Sequence, residues 1–297
     1  MPPTIDALVE TGLERLSPAE RRVARYLQTN PAEALIASAA ALARRTQTSD
    51  ATVVRTAKAL GFAGLDELRQ ALAEKLGAAA SPAERLSRTL QEVGDSLPAA
   101  FETTLQIHQQ SLESLRGSIR PEEFERAVGA IAAARRVAVF GIGPSSAIAS
   151  YLAIQLGRFG LDGLVLANTG LLFADDLRRL REGDLVVLLA YGRVYPELAT
   201  LLDEAERRRL PTLLLTDTLA AELRHRVDLV LPVPRGRVDL LSMHTATLGL
   251  VEALLVGVAT RRPAETLASL EELNGLRRRL GGSAMPLPAP DGPSGQR

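Results

Sequence analysis

The sequence predicts an all-α N-terminal domain joined to an α/β C-terminal domain built on a doubly wound, five-stranded parallel sheet. Three observations carry this. Capped amphipathic helices with no strand signal fill the first hundred residues. From Pro121 onward, short Val/Leu-rich runs alternate with helical segments, as in a parallel sheet covered on both faces. The stretch Val137 to Leu156, VAVFGIGPSSAIASYLAIQL, reads as a buried strand, a glycine turn and a long apolar helix.

The bulk numbers agree with two soluble domains. The chain has 297 residues, 46% hydrophobic and 24% charged, with ample material for a core. Its net charge is zero, so any nucleic-acid site must be local. Cysteine is absent, which excludes disulfides, thiol catalysis and cysteine-ligated metal. The three histidines, His108, His225 and His244, lack ligand spacing, so neither metal nor other cofactor is expected. Aromatics at 3% argue against stacking platforms for single strands. The opening MPPTIDALVE has no signal-peptide pattern and no apolar run reaches membrane-spanning length, which predicts a cytoplasmic protein without membrane contact.

In chain order, Ser17-Pro18-Ala19-Glu20 is a capping box that starts a helix with Val23, Tyr26 and Leu27 on one face. Ser38 caps a short helix through Ala41 and Leu42. Arg44 to Thr48 is a polar turn. Ser49 caps a third helix, Asp50 to Leu60, stopped by Gly61. Its inner stripe is read as Val53, Val54, Ala57 and Leu60, leaving Thr52, Arg55, Thr56 and Lys58 outside. Two short helices joined by a tight turn, the second bearing small polar and basic groups, meet the needs of a helix-turn-helix in the major groove. Between Ser38 and Leu60 there are four cations against one anion, Asp50. The expected DNA-binding residues are Arg44, Arg45, Gln47, Ser49, Thr52, Arg55, Thr56 and Lys58.

A further helix covers Leu65 to Leu76, a hinge Gly77 to Ser81, and Ser81-Pro82-Ala83-Glu84 starts a linker helix. Pro98 to Leu115 is helical, with Phe101, Leu105, Leu112 and Leu115 spaced for burial. Strands are expected at 137–140, 164–167, 185–190, 212–216 and 228–233. Helices are expected at 122–134, 146–159, 171–180, 196–209, 219–226, 241–260 and 264–280. The Pro/Gly-rich tail reads as disordered. The domain expectation is 1–77, a linker at 78–97, 98–280, and a tail at 281–297.

Strand, glycine turn and helix N-terminus aim backbone amides at an anion. Gly141, Gly143, Ser145 and Ser146 therefore mark a small-ligand pocket. It is no dinucleotide site: Ser146 replaces the third glycine, and Asn168, not an acid, follows the second strand.

Leu16-Ser17, Glu20, Val23-Ala24, Thr52-Val53-Val54-Arg55, Leu60-Gly61-Phe62, Gly64 and Leu68 together resemble the helix-turn-helix of the RpiR family of bacterial transcription regulators. Residues 98–280 resemble the sugar-isomerase (SIS) domain that family members carry. The resemblance implies a cytoplasmic homodimer or tetramer that binds a double-stranded DNA operator and senses a small anionic effector, a sugar phosphate or related acid, without catalysis. It also implies that Ser145 and Ser146 contact the sugar or its phosphate. SIS domains that bind sugar phosphates usually follow the third strand with a Ser-x-Ser-Gly-x-Thr loop. Here the stretch is Tyr191-Gly192-Arg193-Val194-Tyr195, and only Gly192 survives. Arg193 offers a guanidinium that grips phosphate or carboxylate through two parallel bonds, and Tyr195 a phenol. His244 lies in a region that packs over the pocket in SIS dimers. The alternative is a sugar-phosphate isomerase, which needs a general base. The loops offer only Asp217, Glu197 and His244 for it.

Overall fold

The computed structural model describes residues 5–13, 15–65, 67–69, 71–72, 81–237 and 240–281. Most of the expected hinge, part of the helix after Leu65 and the tail from 282 lie outside these residues.

The N-terminal part contains α1 (Ile5–Gly12), α2 (Pro18–Thr29), α3 (Pro31–Ile36), α4 (Ala39–Thr46) and α5 (Asp50–Ala59). The capping box at α2 forms as the sequence predicts, with Glu20 N bonded to Ser17 Oγ and Ser17 N to Glu20 Oε2. Pro31 does not merely end α2; it opens α3 at the position where its missing N–H costs nothing. Leu27, Leu42, Val53, Leu60, Leu68 and Leu72 build one apolar core.

The C-terminal part contains α6 (Pro82–Val93), α7 (Leu97–Ser118), α8 (Pro121–Ala133), β1 (Arg136–Gly141), α9 (Pro144–Arg158), β2 (Asp162–Leu166), α10 (Phe173–Arg178), β3 (Asp184–Leu189), α11 (Pro196–Arg208), β4 (Thr212–Thr216), α12 (Ala220–Leu223), β5 (Leu229–Pro232), α13 (Thr245–Arg261) and α14 (Pro263–Gly281). The five strands are all parallel, in the order β2-β1-β3-β4-β5. All five expected strands are present within two residues of the expected bounds. The helix expected from Leu241 starts only at Thr245, and that at 219–226 shortens to α12.

Period-2 alternation splits the strands between two cores. Val137, Val139, Leu185 and Val187 face α8, α9 and α13; Ala138, Phe140, Val186 and Leu188 face α10 and α11. One expectation fails here. Phe101, Leu105 and Leu112 of α7 are exposed, while Ile107, Ser111 and Ser118 are its buried residues and the helix packs on α13. Apolar spacing marks a stripe, but spacing alone does not say that an element of the same chain covers it.

The fully buried carboxylate of Asp184 fastens the starts of β1 and β3. It accepts from Arg135 Nη2 at 2.5 Å, Arg136 Nη2 at 2.7 Å and Arg181 N at 2.8 Å. Arg136 and Asp184 are register partners across the two strands. Removing one partner of a buried ion pair strands the other charges. Asp184→Ala should therefore cost about 3–5 kcal/mol in urea unfolding; a loss below about 1 kcal/mol would show that the cluster is solvated.

Candidate functional site

The N-terminal part presents α4, a three-residue turn and α5. Ser38 Oγ accepts from Ala41 N at 3.1 Å and Ser49 Oγ from Thr52 N at 3.2 Å, so both helices begin on side-chain caps. Gln47 takes the left-handed conformation, φ 52°, that ends α4. Arg22 of α2 then donates through Nε to Thr46 O at 3.1 Å and through Nη2 to Gln47 O at 3.2 Å. A guanidinium at the C-terminus of α4 satisfies carbonyls that the helix leaves open and favours its dipole. Sequence reading passed over Arg22, because its partners are backbone atoms far along the chain.

Helix α5 packs on α2 and α4, and this overturns two expected contacts. Thr56 is fully buried and Thr52 nearly so. Thr56 Oγ1 donates to Thr52 O at 2.8 Å, and Thr52 Oγ1 shares a 2.9 Å bond with Ser49 Oγ. Neither threonine faces a groove. A threonine buries its methyl and satisfies its hydroxyl on the preceding turn, so it serves a helix core as readily as a surface. Val54, assigned to the inner stripe, is instead half-exposed. Ser49, Ala51, Arg55 and Lys58 lie outside, Ala51, Arg55 and Lys58 at helical spacing. Arg44, Arg45 and Gln47 are exposed too, but Arg45 is ion-paired with Glu33, beside Tyr26.

The second site is a cleft at the carboxyl ends of the strands, where β1 and β3 send their chains to opposite sides. Gly141 ends β1. A Cβ there would lie 2.6 Å from Ser145 O, so only glycine lets α9 start this close. Gly141 thus shapes the cleft and does not line it. Gly143 and Ser145 do line it. Ser145 is 6% exposed, and no partner of its hydroxyl is found among the described residues. Ser146 is corrected: its Oγ turns back to Gly143 O at 2.7 Å, and it does not line the cleft. In the first turn of a helix, a serine hydroxyl finds a local carbonyl more easily than a distant ligand.

After β3, Tyr191 is buried and donates to Thr247 Oγ1 at 3.2 Å. Gly192 follows with φ 76°, and Arg193 lies at the rim with its guanidinium 4.6 Å over the ring of Tyr195. The strongest interactions of the cleft were not predicted. Asp217, after β4, accepts from Gly192 N at 3.1 Å, Thr218 N at 2.6 Å, and Arg235 Nε and Nη2 at 2.8 Å each. Arg235 stacks on Tyr191, 4.4 Å from ring centre to guanidinium carbon. The signal was present in part, since Thr216-Asp217 marks the end of the fourth strand. Arg235 lay in an irregular segment with no pattern to single it out.

His244 joins this network, with Nδ1 3.3 Å from Thr247 Oγ1 and its ring 5.4 Å from that of Tyr191. Burial, reinforced by the Arg235 charge and opposed by Asp217, lowers its pKa to about 4. His108 is half-buried and meets the Met243 thioether at 3.1 Å. Among the described residues no cluster of metal-ligating side chains forms, and no helix is long and apolar enough to cross a membrane.

Known proteins share both parts. The model for the helix-turn-helix domain of the rpiR family matches residues 4–79, and that for the SIS domain matches 130–257. The HTH-type transcriptional regulator HexR of Pseudomonas aeruginosa is 29% identical over 261 residues, 86% of this chain and 88% of its own. The sugar isomerase domain of an RpiR transcription factor from Sphaerobacter thermophilus is 30% identical, with a TM-score of 0.54 over 60% of this chain and 98% of that one. The NanR protein of Vibrio vulnificus, complexed with ManNAc-6P, is 24% identical, with a TM-score of 0.55 over 94% of this chain and 100% of that one.

A histidine held neutral in the fold costs stability wherever the unfolded chain would be protonated. Stability is therefore full above the ordinary histidine pKa of about 6.5 and declines as pH falls from there toward 4. His244→Gln should flatten the pH dependence of unfolding in that window, with the wild-type imidazole resonance titrating near pH 4. A wild-type midpoint near 6.5 would contradict the buried placement.

Proposed function

The chain belongs to the RpiR family of transcription regulators, and on that premise we propose how it reads DNA and answers a metabolite. The head, residues 1–77, lays α5 in the major groove of a double-stranded operator. Ser49 and Arg55 approach base edges, and Lys58, Arg44 and Gln47 hold phosphates. Thr52 and Thr56 are left out of the contact set because they are buried. Arg45 contributes only if it leaves Glu33. The sensor, residues 98–280, takes a small anion, a sugar phosphate or related acid, with Ser145, Gly143, Arg193, Tyr195 and His244 around it. The protein acts in the cytoplasm as a homodimer or tetramer, so that two heads meet two half-sites about one helical turn, roughly 34 Å, or a multiple apart.

One observation carries the link between cleft and head. The described residues after β5, 235–237 and 240–244, have two sides. Arg235 and His244 line the cleft. Toward the connection between the two parts, residues 78–97, Leu241 N donates to Thr89 Oγ1 at 2.9 Å, Arg85 Nη1 to Ser242 Oγ at 3.0 Å, and Arg237 Nη1 to Glu92 Oε1 at 2.5 Å. All three partners sit on α6, the helix that precedes the sensor in the chain. A ligand that shifts this segment pulls directly on the element leading to the head. That is the differential contact an allosteric effector needs.

The isomerase alternative is disfavoured by the state of its three candidate bases. Asp217 already accepts from three residues. Glu197 accepts from Gly170 N at 2.9 Å, which lowers its pKa. A pKa of about 4 leaves His244 a weak proton acceptor at neutral pH. We therefore infer a regulator without catalytic activity.

The test uses a duplex selected from genomic DNA on the wild-type protein. Arg55→Ala should weaken binding by about 1–3 kcal/mol and relax preference at one position. Arg44→Ala should weaken all duplexes alike and lower the salt slope by about one. Affinity, preference and salt slope unchanged in both variants would reject this face as the DNA interface.

A further inference from the structure

Three loops aim hydrogen-bond donors into the cleft, and all three direct them to one side chain of the protein itself. The loop after β3 supplies Gly192 N, the loop after β4 Thr218 N and Thr218 Oγ1, and the segment after β5 the Nε and Nη2 of Arg235. All meet on the carboxylate of Asp217, whose side chain is 12% exposed. Convergent backbone amides flanked by a guanidinium make the kind of nest that binds an anion. Here the anion is built in.

The charge balance follows. Asp217 pairs with Arg235, Glu92 with Arg237 and Glu33 with Arg45, while Arg85, also in the cleft lining, donates to Ser242 Oγ. Arg193, at the rim, has no carboxylate partner among the described residues. Ser145 Oγ, also in the cleft lining, has no partner among them either. A guanidinium and a hydroxyl suit a carboxylate, which Arg193 can grip with two parallel bonds. A phosphate monoester carries close to two negative charges at neutral pH. Beside Asp217 its second charge would meet a like charge.

We propose that Asp217 is a resident anion occupying the cleft's donor cluster, and that it makes the cleft select singly charged sugar acids over sugar phosphates. This rests on the reading above that the cleft senses a small anion, and it names the class.

The test uses the full chain at pH 7.5 and sugar pairs that differ at carbon 6 alone: glucuronate against glucose 6-phosphate, and galacturonate against galactose 6-phosphate. Calorimetry or thermal shift reads their affinities. In each pair that binds, the acid should bind at least tenfold more tightly. Asp217→Asn keeps the shape and an oxygen for Gly192 and Thr218, but leaves the Arg235 charge unbalanced. In that variant, phosphate affinity should rise at least tenfold and the preference should reverse. A wild-type protein that binds the phosphate as well as its matching acid overturns the proposal and leaves anion sensing standing. A folded Asp217→Asn with an unchanged ratio does the same. Should that variant not fold, the wild-type comparison decides alone. No response to either member of any pair overturns the anion-sensing reading, and the proposal with it.

Discussion

The close approach of α9 to the end of β1 is the constraint on which the functional half of the molecule depends. With no side chain at Gly141, Ser145 O comes within 2.6 Å of where a Cβ would stand. The helix then starts hard against the sheet, with Ser145 at the cleft wall. Because β1 lies between β2 and β3, the chains leaving β1 and β3 diverge and open the cleft at that point. A larger residue at Gly141 would push α9 outward and close or deform the site. Asp184 secures the opposite end of the same two strands, so the cleft is set on a rigid base.

Much of this was legible in the residues. Continuous Val and Leu runs mark strands buried on both faces, and all five were placed. Serine caps and the capping box at Ser17 located the helices of the head. What failed did so for identifiable reasons. Thr52 and Thr56 were read as surface because threonine is polar, yet each hydroxyl is satisfied within the N-terminal turns of α5 and the methyl joins the core. Phe101, Leu105 and Leu112 look buried from their apolarity and spacing, yet the buried residues of α7 are Ile107, Ser111 and Ser118. The Asp217–Arg235 pair was out of reach because eighteen residues and a strand separate its members, and local pattern carries no record of such contacts.

The cleft departs from a simple anion cradle in one respect. The amides of Gly192 and Thr218 and the guanidinium of Arg235 are already engaged by a carboxylate of the chain. Stacking of Arg235 on Tyr191, and the bond from Tyr191 to Thr247, extend that engagement into α13. Arg235 and His244 are thus tied inward to Asp217 and α13, and Leu241 and Ser242 outward to α6. Any ligand that alters the inner ties acts on a segment whose outer ties lead to the head. The family places a helix-turn-helix domain and a SIS domain on one chain, and these bonds join the cleft to α6, the helix that precedes the SIS part.

In the proposed function, occupancy of the cleft and grip on DNA share one free energy. The direct measurement is the affinity of the full chain for its selected duplex, with and without a saturating small acid, together with the affinity for that acid with and without DNA. A change of at least about fivefold, on the order of 1 kcal/mol, is expected, and the same factor in both directions. DNA affinity unmoved by an acid that demonstrably fills the cleft would contradict it.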